Sequence, residues 1–383
     1  MNSQIRAAPA LPELIVHVCP GGLEHGGGIG RMVGYIVEAW RDSGRTPKMR
    51  VLDTRGAGHI FFAPWHFIRC LFQIVRMRRH LPLLHVHIAG RGSTIRKIFL
   101  VHFSRLLGLS IVLHLHDYNY RESLERFPAP IRAMVPSIFR SVGAVVVLGE
   151  DDRLLVVDHL GADPARVSIV PNAVPAPREG RPRGGDSFPV QIAFLGNPSR
   201  RKGLHDLIAA LATTPLRRLD WHVTVAGGGS EVADFRNQTD AAGLPDRITF
   251  TGWIDRQQTA AVLRSADILV LPSYAEGMAM SVLEAMSYGL CVICTPVGSL
   301  KYVIDDKNNG MLVQPGNVVQ LADSLVTAIG DGKLRSRLGL EANKTFRQRF
   351  NAAHLPNVLE RIYAAALQSR RKDPELTSEC VDA

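Results

Sequence analysis

No stretch of about 20 uncharged apolar residues occurs in the 383 residues, so no bilayer-spanning helix is expected. Residues 98–115 come nearest, but His102, Arg105 and His114 interrupt them. Any membrane contact is therefore expected to be peripheral. A secretory signal is equally missing: the apolar run 14–19 is too short for one and continues into glycines. Cysteine is scarce. The five residues Cys19, Cys70, Cys291, Cys294 and Cys380 are odd in number and lack disulfide-framework spacing, which points to a reducing compartment. Cys291 and Cys294 have CxxC spacing, but no second pair completes a zinc site, so they read as buried strand thiols. Low-complexity tracts and residue-level internal repeats are also missing.

What remains is an ordinary globular composition, 46% hydrophobic and 21% charged, long enough for two domains with separate cores. The net charge of +10 is unevenly spread: residues 60–140 hold twelve Lys/Arg against three Asp/Glu. Such a patch attracts anionic head groups, phosphates or nucleic acid, unless it is merely a solvated basic face.

Short apolar runs alternate with helical patterns along the whole chain. Strands are predicted at 14–18, 49–52, 83–86, 111–115, 144–148 and 167–170. A second series lies at 190–195, 222–226, 248–250, 268–271, 291–294 and 311–313. Helical periodicity fills the gaps, for example at 29–40 and 204–211. Alternation of this kind predicts an α/β chain of parallel sheets covered by helices. The stretch 174–188 is rich in Pro, Gly and charge and has no apolar period, so it reads as a linker. Ligands in such folds bind outside the carboxyl ends of the strands, here expected in a cleft between the two domains.

Four constellations lie at predicted strand ends. The glycine-rich run 21–30 precedes an amphipathic helix and lets a ligand approach the backbone, although a plain βα turn is the bland alternative. Arg31 stands where a GxGxxG motif needs its last glycine, so a dinucleotide fingerprint is weakly supported. His85 and His87 end one strand, and His114, His116 and Asp117 another. Metal binding there needs further ligands that spacing does not place, so His116 reads as functional and no metal site is assigned. Arg200, Arg201 and Lys202 sit at a turn before Gly203, suited to a diphosphate or simply solvated. Glu276 and Glu284, seven residues apart, flank the segment that continues from Gly277, Met278 and Ala279. Carboxylates among apolar residues need partners, and sugar and ribose hydroxyls are suitable ones. One capping and one exposed glutamate would be the alternative.

Taken in order, the glycine loop, the Arg-Lys-Gly turn and the E-x7-E segment resemble the retaining glycosyltransferases of family 4, which have the GT-B fold. The likeness extends over nearly the whole chain. Residues 168–174 (SIVPNAV) are similar to the family's ending of the first domain, and 297–314 to the stretch closing the donor site. The resemblance implies two doubly wound Rossmann-like domains facing across an interdomain cleft. Residues 1–175 would bind the acceptor, 176–187 would be the linker, and 188–350 would bind the nucleotide sugar. A helix at about 352–369 would complete the first domain.

Carried over residue by residue, Glu276 would contact donor-sugar hydroxyls and Glu284 the ribose. Lys202 would hold the diphosphate together with an arginine, and His116 would sit beside the transferred sugar. Residues 26–28, including Gly27 and Gly28, would face the diphosphate and acceptor, and Gly277, Met278 and Ala279 would line the donor site. The family's usual arginine is replaced by Asn197, so Arg200 or Arg201 would supply that charge. The acidic residue often found after the closing glycines is also missing, with Tyr302 near that place. The expected activity is retaining transfer of a hexosyl group from a nucleoside diphosphate sugar, with no cofactor and no metal, since no Asp-x-Asp follows a strand. A lipid-linked saccharide of surface polysaccharide biosynthesis is the expected acceptor. Basic helices bearing Arg69, Arg76, Arg78, Arg79, Arg96, Lys97 and Arg105 would meet an anionic membrane surface. That places the protein in the cytoplasm, at the inner face of the cell membrane, without a nucleic-acid partner. A nucleotide-sugar epimerase, a phosphorylase or a non-catalytic anion binder are the alternatives.

Overall fold

The structure is a computed structural model that describes residues 11–24, 27–56, 60–80, 82–90, 92–117, 119–180 and 189–372. Gly26, Cys380 and most of the expected linker lie outside these residues. The described chain divides into two compact units, one from residues up to 172 together with those from 352 onward, the other from 173–351.

Each unit holds one six-stranded sheet, and every pairing between named strands is parallel. The first comprises β1 (Leu14–Cys19), β2 (Lys48–Asp53), β3 (Leu83–Ile88), β4 (Ile111–Leu115), β5 (Ala144–Val147) and β6 (Val167–Ile169) in the order β2-β1-β3-β4-β5-β6. The second comprises β7 (Val190–Leu195), β8 (Trp221–Ala226), β9 (Ile248–Gly252), β10 (Ile268–Leu271), β11 (Cys291–Cys294) and β12 (Met311–Leu312) in the order β12-β11-β10-β7-β8-β9. The central strands β3, β4, β10 and β11 are buried along their entire length. Helices cover both faces of such strands, so their sequences are continuous apolar runs rather than alternations. Cys291 and Cys294 lie in this interior, where burial pushes both thiols up to about 12. They are packing residues.

In both sheets the chain lays strands to one side, returns, and continues on the other. The switch points therefore fall between β1 and β3 and between β7 and β10. Loops leave these neighbouring strands in opposite directions and open a crevice at their carboxyl ends. The helix Leu355–Lys372 packs against β4 and β5 and belongs to the first unit.

Candidate active site

At the second switch point, β7 ends at Leu195 and the chain makes a short 3-10 turn, Arg200–Lys202, before the helix Leu204–Leu211. The join is Gly203, with φ of 72°. A β-carbon there would also collide with the Pro272 carbonyl, so glycine lets the turn press against the end of β10. Beyond β10, Tyr274 donates its backbone N–H to the Arg201 carbonyl at 2.8 Å, which ties the two loops together.

Glu276 sits where these loops meet. Its Oε1 lies 2.5 Å from Lys202 Nζ and 3.5 Å from an Arg201 guanidinium nitrogen, and accepts from Ser273 Oγ at 2.9 Å. Only 8% of Glu276 is exposed, so the carboxylate has exchanged water for a cation and a hydroxyl. The loop is fixed from beneath. Thr295 donates to the Ser273 carbonyl at 2.6 Å, and Ser299 N–H to the Gly277 carbonyl at 2.8 Å. Gly298, with φ of 55°, permits that approach, because a β-carbon would strike the Glu276 carbonyl.

The helix Met280–Tyr288 starts directly after this loop, and no side chain caps its N-terminus. Its first N–H groups and its dipole are thus available to an anion. Gly277 is half-buried, while Met278 and Ala279 are buried and close the wall. Glu284 lies in the helix and is only 7% exposed. The reading of one capping and one solvated glutamate is therefore wrong: both carboxylates are buried, at the two ends of one loop-to-helix segment.

The cations divide by role. Arg201 donates to the Ala275 carbonyl at 2.5 Å and braces the glutamate loop, whereas Arg200 is exposed. The exposed Asn197 rests its amide against the next glycine turn, 2.8 Å from the Gly228 carbonyl oxygen. Ser273, Thr295 and Gly298 were not identified from the sequence. Hydroxyls and glycines are common; Ser273 reaches Glu276 within one turn, while Thr295 and Gly298 brace the loop from a distant segment.

At the first switch point, β1 runs into Gly21 and Gly22, and the helix Gly27–Asp42 begins inside the glycine run. Asp53, at the end of β2, clamps this turn. Its carboxylate accepts backbone N–H groups from Gly21 and Arg55 at 2.7 Å and from Gly56 at 2.9 Å. Gly27 and Gly28 are exposed, with open space where a side chain would stand. His116 is half-buried just past β4, and its Nε2 lies 2.9 Å from His87 Nδ1. Asp117 accepts from Ser123 Oγ at 3.0 Å and from the Asn119 N–H at 3.2 Å, so it shapes the following turn.

The expected basic face needs one correction. Lys97 is fully buried, and its Nζ donates to Thr54 Oγ1 at 3.1 Å. Its helix, Gly92–Leu106, turns this position toward the sheet, and burial lowers its pKa to about 8. The other helix, Ala63–Met77 with the turn Arg78–His80, does present its arginines: Arg69, Arg76, Arg78 and Arg79 are exposed. Beside them Phe61, Trp65, Ile68 and Phe72 are 80%, 67%, 59% and 65% exposed, and Phe99 of Gly92–Leu106 is also exposed. No helix among the described residues is long and apolar enough to cross a membrane.

Comparison with known proteins bears on the family and the fold. Residues 184–345 match the family described as glycosyl transferases group 1. The D-inositol 3-phosphate glycosyltransferase of Corynebacterium efficiens is 30% identical over 309 residues, 74% of this chain and 71% of that protein. The 2-deoxystreptamine glucosyltransferase of Streptomyces kanamyceticus is 28% identical over 283 residues, 68% of this chain and 72% of that protein. Among solved structures, sucrose-phosphate synthase from Thermosynechococcus elongatus superposes with a TM-score of 0.77 at 17% identity, covering 93% of this chain and 99% of that one. Anabaena HepE, in complex with UDP and glucose, superposes with a TM-score of 0.72 at 18% identity, covering 91% and 98%. These likenesses identify the fold as GT-B.

Proposed function

The chain belongs to the group 1 glycosyl transferases, and from that premise we propose that it moves a hexosyl group from a nucleoside diphosphate sugar to an acceptor hydroxyl, with retention of configuration. The observation that supports this most is the buried carboxylate pair, with Glu276 held between Lys202 and Ser273. A carboxylate so placed is preorganised to accept hydroxyls, and in this reading Glu276 receives those of the hexose and Glu284 those of the ribose.

The diphosphate is the leaving group. Its growing charge meets Lys202 and the uncapped start of Met280–Tyr288, which stabilise it without a metal. Arg200, being exposed, takes the place of the arginine missing at Asn197, while Arg201 keeps the loop in shape. The bond from the anomeric carbon to the diphosphate breaks through an oxocarbenium-like state as the acceptor oxygen bonds to the same face. The acceptor's proton departs with the nucleoside diphosphate. His116 orients the sugar, and Gly27 and Gly28 leave room for donor and acceptor to approach the backbone.

The acceptor in this reading is a lipid-linked saccharide of a surface polysaccharide. The exposed Phe61, Trp65, Ile68 and Phe72 beside Arg69, Arg76, Arg78 and Arg79 support it: aromatic and basic side chains together suit the head-group region of an anionic membrane. Nucleoside diphosphate release, measured with and without lipid-linked saccharides, tests the proposal. Release that needs such an acceptor, and persists in EDTA, is expected. An epimerised sugar nucleotide with no release would overturn it.

A further inference from the structure

One feature of the first unit enters this chemistry only through His116. His17 of β1, His85 and His87 of β3, and His114 and His116 on β4 and just beyond it form a continuous imidazole array. Register explains it: His17 stands opposite His85 and His87 opposite His114, so alternate positions bring all the rings to one face. Four of these histidines are fully buried, and no carboxylate joins the metal-ligating groups they form.

The rings are bonded to one another. His17 Nδ1 lies 3.0 Å from His87 Nε2, and His87 Nδ1 lies 2.9 Å from His116 Nε2. His114 Nδ1 lies 3.2 Å from His85 Nε2, whose Nδ1 lies 2.9 Å from the Tyr363 hydroxyl. One nitrogen from each of His87, His114 and His116 lies within 4.8 Å of the other two. His114 Nε2 is buried and has no hydrogen-bond partner. Burial holds the histidines well below their usual pKa, which keeps the rings neutral, the state that binds metals.

We propose that His87, His114 and His116 form a binding site for a first-row transition-metal ion such as Zn2+, with His17 and His85 as the outer ring that orients them. The tautomers are mutually consistent. If His85 gives its Nδ1–H to Tyr363, its Nε2 accepts the Nδ1–H of His114, and the unpartnered Nε2 of His114 becomes a lone pair. If His87 gives its Nε2–H to His17, its Nδ1 accepts the Nε2–H of His116, and a bound ion would replace that hydrogen bond, with His116 holding its proton on Nδ1 instead. Three imidazole nitrogens with buried hydrogen-bonded supports are a familiar zinc donor set, the fourth position being open. Nitrogens on one tetrahedral zinc stand about 3.3 Å apart at Zn–N of about 2.0–2.1 Å. The rings of His87 and His116 would therefore separate slightly, and His116, now stacked on His114 at 4.0 Å between centroids, would turn out of that stack so that both rings face the ion. His116, half-buried past the strand end, provides the entry path. The site rests on the imidazoles alone and does not depend on which sugar is transferred.

Titration of the untagged, EDTA-dialysed full chain with Co2+, read by its visible d–d absorption and displaced by Zn2+, tests the inference. One ion per chain is expected. His116→Gln, at a strand end where the fold tolerates change, and His114→Ala should abolish the signal. His85→Phe should weaken binding by about tenfold or more while keeping the ratio at one. His354→Gln, outside the array, should bind as the wild type does. If the wild type binds no ion, or His116→Gln binds as tightly as the wild type, the inference is overturned.

Discussion

At the switch point of the second sheet acidic and basic side chains pair with one another, whereas the first sheet gathers neutral imidazoles bonded to one another. Lys202 and Glu276 share one contact at 2.5 Å, with Ser273 and Arg201 beside them. His17, His85, His87, His114 and His116 meet no carboxylate within their own cluster. Each sheet has solved the problem of burying polarity at a strand end. A buried charge is tolerable when its partner is fixed and removing that partner is costly, while a buried imidazole escapes the cost by shedding its proton. The second edge is thus suited to meeting an anionic ligand, and the first to offering neutral nitrogen donors.

The contrast breaks most sharply at Glu276. Glu276→Ala should lower transfer about a hundredfold or more while circular dichroism is unchanged, because it removes the donor-sugar acceptor and strands Lys202. The histidine side breaks with acid. The array's pKa values lie below 6.5 in the folded chain, about 3 for His17 and His116, so the unfolded chain binds more protons between those values. Stability is therefore full above about pH 6.5 and falls as pH drops, by about 1.4 kcal/mol per pH unit for each histidine involved. Urea melts at pH 7, 6 and 5, read by probes in each unit, should show the first unit weakening and the second largely unmoved.

Lys97 sharpens the comparison, being a buried cation of the first unit with no salt bridge to a carboxylate among the described residues. Held at about 8 rather than 10.5, it costs about 3 kcal/mol wherever it stays charged. Lys97→Met should recover part of that at pH 7, and the gain should shrink as pH rises from about 8 toward 10.5, where the wild type no longer binds the proton in either state. The smallest effect concerns the exposed face. Arg78→Gln with Arg79→Gln should weaken cosedimentation with anionic vesicles by about 1 kcal/mol per charge, and salt should erase the difference. Salt-independent binding would remove the membrane from the account.

Much of the fold was legible because parallel strands buried on both faces leave unbroken apolar runs. The runs at 111–115, 190–195, 268–271 and 291–294 coincide with β4, β7, β10 and β11. The helix preceding β2 starts at Gly27, earlier than its apolar period begins at Ile29, because glycines hide a first turn. Glu276 and Glu284 stood out as carboxylates in an apolar context. That Lys202 pairs with Glu276, that Arg201 braces the loop, and that Lys97 faces inward were not legible, since each depends on packing between distant segments. The histidine array shows the same limit: spacing gives the pairs His85/His87 and His114/His116, but only strand order brings His17 beside them and only packing of the helix Leu355–Lys372 brings Tyr363.

Calorimetric binding of a nucleoside diphosphate and of its sugar nucleotide to the wild type, Glu276→Ala and Glu284→Ala tests the division of labour at the centre of this account. Glu284→Ala should weaken both ligands alike, through the ribose. Glu276→Ala should leave the nucleoside diphosphate bound and cancel the extra affinity contributed by the sugar. Equal behaviour of the two variants toward both ligands would contradict the assignment of the two carboxylates.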